Sequence, residues 1–175
     1  MSIAVAEGPT SQPAIPRYLI TNDDRPPKVP TSGTVFTIAR DGTLHSPVRV
    51  SLGGIGAGGG YFAANRVSVL HSNSAACAFL SLGASSEISV VDLGSLSDIG
   101  NYPASATDSG IDNGVGLVNN GRYLYASFST SNTIGTFAIL PGCALQFLSD
   151  ITVRGKHQGS VKGMAVHGSM LVVAY

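Results

Sequence analysis

The sequence predicts an all-β fold assembled from repeated four-stranded antiparallel units, and three observations carry that expectation. A strand–turn–strand stretch at residues 114–127 returns at residues 161–174, with Gly116 matching Gly163, Leu117 matching Met164, Gly121 matching Gly168 and Tyr123 matching Met170, at a constant offset of 47. No segment shows apolar residues at the i, i+3, i+4, i+7 spacing of an amphipathic helix. The 22 glycines, with frequent Ser, Thr and Val, suit many short strands joined by tight turns. Each copy supplies two strands, and a period of 47 residues leaves room for two more, which is one blade of a β-propeller. Residues 17–175 then hold about three to three and a half blades of an incomplete ring.

The elements follow in chain order. Residues 1–16 carry Pro9, Pro13 and Pro16 with Ser11 and Gln12, the composition of a flexible tail. Tyr18-Leu-Ile-Thr-Asn22 alternates as a strand, and residues 22–30 break it, because prolines and clustered charge do not sit inside a sheet. Residues 33–39 and 44–52 form a hairpin around Asp41-Gly42, the dipeptide favoured in such turns, and read as the outer half of a blade. Residues 53–60 are glycine-rich and satisfy G-x-G-x-x-G at Gly54, Gly56 and Gly59. A dinucleotide site also needs a following helix and an acidic residue about 20 positions on. Here a strand-like stretch follows, and Glu87 is the first acidic residue, so the stretch is expected to be a flexible connection between blades and no cofactor is assigned. Residues 67–71, 77–82 and 88–93 are the next strands, with a loop at 83–86. Ile88-Ser-Val-Val matches Ile134-Gly-Thr-Phe at an offset of 46, so the repeat extends here. Residues 101–113 read as a Ser/Asp/Gly/Pro-rich loop. Residues 134–139 and 145–153 form an outer hairpin around Pro141-Gly-Cys143, and a basic loop at 154–159 leads into the last repeat.

Composition narrows the function classes. Ten basic and ten acidic side chains cancel, leaving no electrostatic case for nucleic acid or an anionic membrane surface. No apolar run approaches the roughly 20 residues of a membrane helix, and residues 1–16 lack the charged and apolar regions of a signal peptide. Cys77 and Cys143 lie 66 residues apart without metal-ligand spacing. Cys77 falls in an apolar strand and reads as a small hydrophobe rather than half of a bridge.

Tyr18-Leu-Ile-Thr-Asn22, Ser32-Gly-Thr-Val-Phe-Thr-Ile with Asp41-Gly-Thr-Leu44, the glycine-rich stretch, Asn132-Thr-Ile-Gly-Thr-Phe and Ala165-Val-His-Gly-Ser-Met-Leu-Val-Val173 resemble the lactonase-like seven-bladed propellers, relatives of 6-phosphogluconolactonase, of carboxymuconate-cyclising enzymes and of YVTN-repeat proteins. The resemblance runs over residues 17–175 and covers about half of a seven-bladed member. It implies a hydrolase acting on a small sugar-acid or aromatic lactone. No catalytic motif of that family carries over residue by residue, and a non-catalytic binding propeller is the alternative. The absence of Trp argues against the WD40 branch.

In such a fold the inter-blade and middle-strand loops open on one face and the hairpin turns on the other. The loop face receives Asn22, Asp23, Asp24, Arg25, Asp108, Asp112, Asn113, Arg154, Lys156, His157 and Lys162, and the turn face receives Asp41-Gly42, Asn119-Asn120-Gly121, Pro141-Gly142 and His167-Gly168. Asn22, Asp24, Arg25, Asp112, Asn113, Lys156 and Lys162 are therefore the candidate substrate-binding residues, a mixed-sign cluster suited to a small acidic ligand. Polar residues also populate longer loops for solvation alone. Lactone hydrolysis needs a base and an oxyanion stabiliser, and His157, kept neutral between Arg154 and Lys156, is the candidate base with Arg154 beside it. Asp23 and Asp24 have no third ligand at a fixed spacing, so no metal is assigned. An arc exposes its flanks and an unpaired edge at residues 170–175, so this chain is expected to self-associate or to be completed by further blades, and to be catalytically silent alone.

Overall fold

The computed structural model describes residues 17–23, 25, 28–57, 65–72, 75–103, 115–128, 131–154, 161 and 163–174. The proposed tail at 1–16 and residues 58–64 lie outside that set. Thirteen strands are described: β1 (Arg17–Asn22), β2 (Pro30–Ile38), β3 (Leu44–Ile55), β4 (Val67–His71), β5 (Ala76–Leu82), β6 (Glu87–Asp92), β7 (Ser97–Pro103), β8 (Val115–Asn119), β9 (Tyr123–Phe128), β10 (Thr133–Ile139), β11 (Leu145–Thr152), β12 (Gly163–His167) and β13 (Met170–Ala174). They form antiparallel sheets in the orders β1-β2-β3, β4-β5-β6-β7, β8-β9-β10-β11 and β12-β13. This is the partial propeller that the repeat predicted.

Pairing register explains why the repeat was visible. Gly116 faces Ser127 and Leu117 faces Ala126 in the third sheet, just as Gly163 faces Ala174 and Met164 faces Val173 in the fourth. Ile88 faces Ser81 as Ile134 faces Ser127. The register also slips by one residue at Val35/Thr37, Val90/Val91 and Thr136/Phe137, always between the last two strands of a sheet. That shared bulge makes β2–β3 equivalent to β6–β7 and β10–β11, so β1 is the second strand of its blade. The inner strands β4, β8 and β12 adjoin in succession.

Each sheet packs face to face with its neighbour, which explains the apolar run at β5. Cys77 and Phe79 join a core with Ile88, Val90, Leu117, Leu124, Phe128 and Phe137 of the second and third blades. Ala78, Leu80 and Leu82 point the other way, into a core with Val35, Val50 and Leu52 of the first. A strand buried on both faces loses its polar alternation, and fully burying each large side chain contributes about 1.5–3 kcal/mol. A smaller core of Ile134, Val161 and Met164 seals the third blade to the fourth.

Three expectations are corrected. Cys77 and Cys143 form a disulfide across 66 residues, with Cα atoms 6.2 Å apart. The short 3-10 turn Pro141–Cys143 brings Cys143 back over the second blade, with Gly142 at φ +74°. Residues 101–103 belong to β7 rather than to a loop. That outer strand is only half-buried and is held by Ser89 Oγ and the Gly100 N–H, which donate to Asp98 Oδ1 at 3.0 and 3.2 Å. Residues 53–55 of the glycine-rich stretch complete β3 and dock on the β5–β6 turn. The Ile55 N–H donates to Ser85 Oγ (3.2 Å) and the Ala84 N–H to the Ile55 carbonyl (3.1 Å).

Gly54 is glycine because of that docking. A Cβ there would lie 2.5 Å from Leu82 Cδ1 and 2.9 Å from both Glu87 Oε2 and Ser85 Oγ. Gly54→Ala is expected to destabilise the fold by about 1–3 kcal/mol through overpacking, read as a lowered urea midpoint at constant slope. A midpoint equal to that of the parent would mean the seam yields freely.

Candidate functional site

Antiparallel strands alternate in direction, so the β1–β2, β5–β6 and β9–β10 loops share one face with the connections between sheets. On that face the first blade carries its most elaborate polar cluster. Asp23 follows β1, and its backbone N–H donates to the Ser32 carbonyl at 2.9 Å. Its carboxylate accepts from Ser32 Oγ at 2.6 Å, from Thr34 Oγ1 at 3.2 Å and from Thr21 Oγ1 at 3.2 Å. Arg49 Nε, from β3, donates to Ser32 Oγ at 2.7 Å and lies 3.7 Å from Asp23 Oδ2. The partly exposed ion pair contributes little by itself, of order 0–1 kcal/mol; its effect is to fix where the guanidinium sits.

Beside this cluster opens a cleft of about 370 Å³ lined by Arg25, Pro30, Thr31, Ser32, Arg49 and Ser51. Thr31 is buried, and its Oγ1 accepts the Arg25 backbone N–H at 3.2 Å, tying the loop to the start of β2. Pro30 opens β2, a position where a strand tolerates proline.

Asparagines fasten the blades to one another. Asn22 Nδ2 donates to the Ser81 carbonyl of the second blade at 2.7 Å. Asn65, in a left-handed conformation at φ +59°, accepts the Leu117 N–H at its carbonyl (2.8 Å) and donates from Nδ2 to the Met164 carbonyl (3.1 Å). Asn132, at φ +54°, takes the Val161 N–H at Oδ1 (3.2 Å) and the Val153 N–H at its carbonyl (2.7 Å). Asn tolerates φ > 0 better than other side-chain-bearing residues, which is the signal that marks Asn65 and Asn132 in a sequence. On the turn face, Asp41 is held below the usual carboxylate range by the Thr43 hydroxyl (2.6 Å) and then the Thr43 N–H (3.0 Å). Such a group stabilises the turn above its unfolded pKa and loses that contribution as pH falls through the folded one.

Of the candidate site residues, Asn22, Arg25 and Arg154 are described. Asn22 and Arg25 belong to the first blade, whereas exposed Arg154 follows the last strand of the third. Asp24, Asp108, Asp112, Asn113, Lys156, His157 and Lys162 lie outside the described residues. Arg25 lines the same cleft as Arg49, a residue the sequence did not single out. Among the described residues, no group of three or more His, Cys, Asp or Glu is placed to hold a metal ion.

No family model and no curated protein sequence matches the chain. Solved structures do. A luciferin-regenerating enzyme is similar with a TM-score of 0.51 at 14% identity, over 89% of this chain and 49% of its own. A candidate 6-phosphogluconolactonase from Bacteroides fragilis is similar with a TM-score of 0.50 at 14% identity, over 78% of this chain and 41% of its own. The chain thus spans half or less of the length of these neighbours. At this identity the likeness is one of fold alone, that of a β-propeller, of which the chain supplies part.

Proposed function

We propose that the loop face of this chain contributes to the binding site of a small sugar-acid or aromatic lactone in a lactonase-like propeller. The observation that carries the reading is the shared fold with a luciferin-regenerating enzyme and a candidate 6-phosphogluconolactonase. The polar cluster of Asn22, Asp23, Arg25 and Arg49 in the first blade supports it. In lactone hydrolysis, water loses a proton to a base and adds to the carbonyl carbon. The carbon–oxygen ring bond then breaks, and the ring oxygen leaves with a proton. His157 is assigned the base and Arg154 the oxyanion contact.

The second reading is a non-catalytic binding propeller. It is favoured by the use of Asn22, Asn65, Asn132 and Asp23 in internal hydrogen bonds. Calorimetric titration with a panel of sugar-acid and aromatic lactones, run beside an acid-release assay, separates the two. Acid release from a lactone that binds, slowed about a hundredfold by Arg154→Ala, supports the first. Binding without acid release, or failure of every lactone to bind, leaves only the second.

A further inference from the structure

The cleft lined by β2, β3 and Arg25 has a chemistry of its own. Two guanidinium groups line it, against one carboxylate, Asp23, among the described residues. That carboxylate already accepts from three hydroxyls and faces Arg49 Nε. Arg49 is therefore anchored through Nε alone, and among the described residues its two terminal nitrogens have no protein partner. The Arg25 guanidinium has none either, although its backbone N–H is fixed on buried Thr31. An arginine held at Nε with its terminal N–H groups free presents a planar fork, the geometry that matches two oxygens of a carboxylate or phosphate. The Ser51 hydroxyl lines the same cleft and adds a further donor.

From this we infer that the Arg25–Arg49 cleft is a binding site for the carboxylate or phosphate group of a small anionic ligand. It lies on the third and fourth strands of the first blade, at the outer rim, away from the inner strands β4, β8 and β12. Arg25 is shared with the proposed lactone site, whereas Arg49 and Ser51 are not, so the Arg49→Lys variant with simple anions tests this inference apart from lactone hydrolysis. The Asp23 cluster preorganises the fork, so binding does not have to order Arg49 first. Two cations in one cleft favour a ligand group of full negative charge over a neutral sugar.

Amide-resolved NMR titration tests the inference, with inorganic phosphate and acetate as separate probes and sodium chloride at matched ionic strength as background. Saturable shifts confined to Thr31, Ser32, Arg49 and Ser51 are expected, weakened about tenfold in Arg25→Gln. Because Arg49 also serves the fold, Arg49→Lys is the second variant; it keeps the charge and loses the fork, and weaker binding at an unchanged melting temperature is expected. Response to phosphate alone assigns a phosphate ester, response to acetate alone assigns a carboxylate, and response to both assigns the shared oxyanion. Absence of saturable shifts with either probe overturns the inference. So does binding that is the same in the parent, Arg25→Gln and Arg49→Lys, since the ions would then be held elsewhere.

Discussion

Reducing the Cys77–Cys143 bridge is expected to lower the unfolding free energy by roughly 4 kcal/mol. The bridge closes a loop of 66 residues, and by chain entropy a crosslink of that span removes roughly 4 kcal/mol of freedom from the unfolded chain. Domains of this size are stable by about 5–15 kcal/mol, so the loss is a large share of the total. Both half-cystines are buried, at 0% and 3% exposure. They join β5 of the second blade to the β10–β11 turn of the third, so the bridge also spans the seam between two sheets. Urea unfolding with and without reductant measures the effect, with a thiol titration to show that the bridge has opened. The urea slope should rise as well, because an uncrosslinked unfolded chain exposes more surface. Superimposable curves with two titratable thiols would refute the structural role given to the bridge.

Phe128→Ala should cost about 3–5 kcal/mol, while Phe128→Leu should cost less than about 1.5 kcal/mol. Phe128 ends β9, is fully buried and packs in the core shared by the second and third blades. Its counterpart one repeat earlier is Leu82, also fully buried, because Phe128 pairs with Thr133 as Leu82 pairs with Glu87. Truncation to Ala leaves a void that the two sheets cannot close without shifting together. Leu is the side chain that the preceding blade already uses at this position. Denaturant melts of the two variants provide the check, and a Leu variant as unstable as the Ala variant would show that the two positions are not equivalent.

What the sequence revealed and what it hid divide along a physical line. Strand pairs within a blade are local, and their register repeats, so the matched pairs Gly116/Gly163 and Ile88/Ile134 were visible from spacing alone. Gly121 and Gly168 occupy positive φ at +88° and +55° in equivalent hairpin turns, which is why both are glycine. Contacts between blades were not legible. The disulfide and the Asn65 hydrogen bond to Met164 span 66 and 99 residues, and neither leaves a pattern in either partner's own neighbourhood. β7 was missed because an outer, half-exposed strand needs no apolar alternation, and its end from Asn101 to Pro103 read as the start of a loop. Of the candidate site, the sequence pointed to polar residues of the loops but not to one within a strand. Asn22 ends β1 and Arg25 lies between β1 and β2, whereas Arg49 sits in a Val-Arg-Val alternation of β3 that reads as an ordinary solvent-facing strand. Only the folded chain brings it to Asp23 and Ser32.

The shared bulge and the unequal strand lengths bear on how such sheets accumulate. The inner strands β4, β8 and β12 have five residues each, while the outer β7, β11 and β3 have seven, eight and twelve. A bulge adds twist and bend to the strand that carries it, and here it falls on the long side every time. The second and third sheets, described from inner to outer strand, are thus wedges, narrow within and splayed without. The contact of one sheet with the next is head-to-tail, since one face meets the opposite face of its neighbour. Head-to-tail contacts make filaments unless each step carries a rotation that brings the series back on itself. The wedge supplies that rotation in a constant sense, so sheets added in this manner turn toward closure instead of growing without limit.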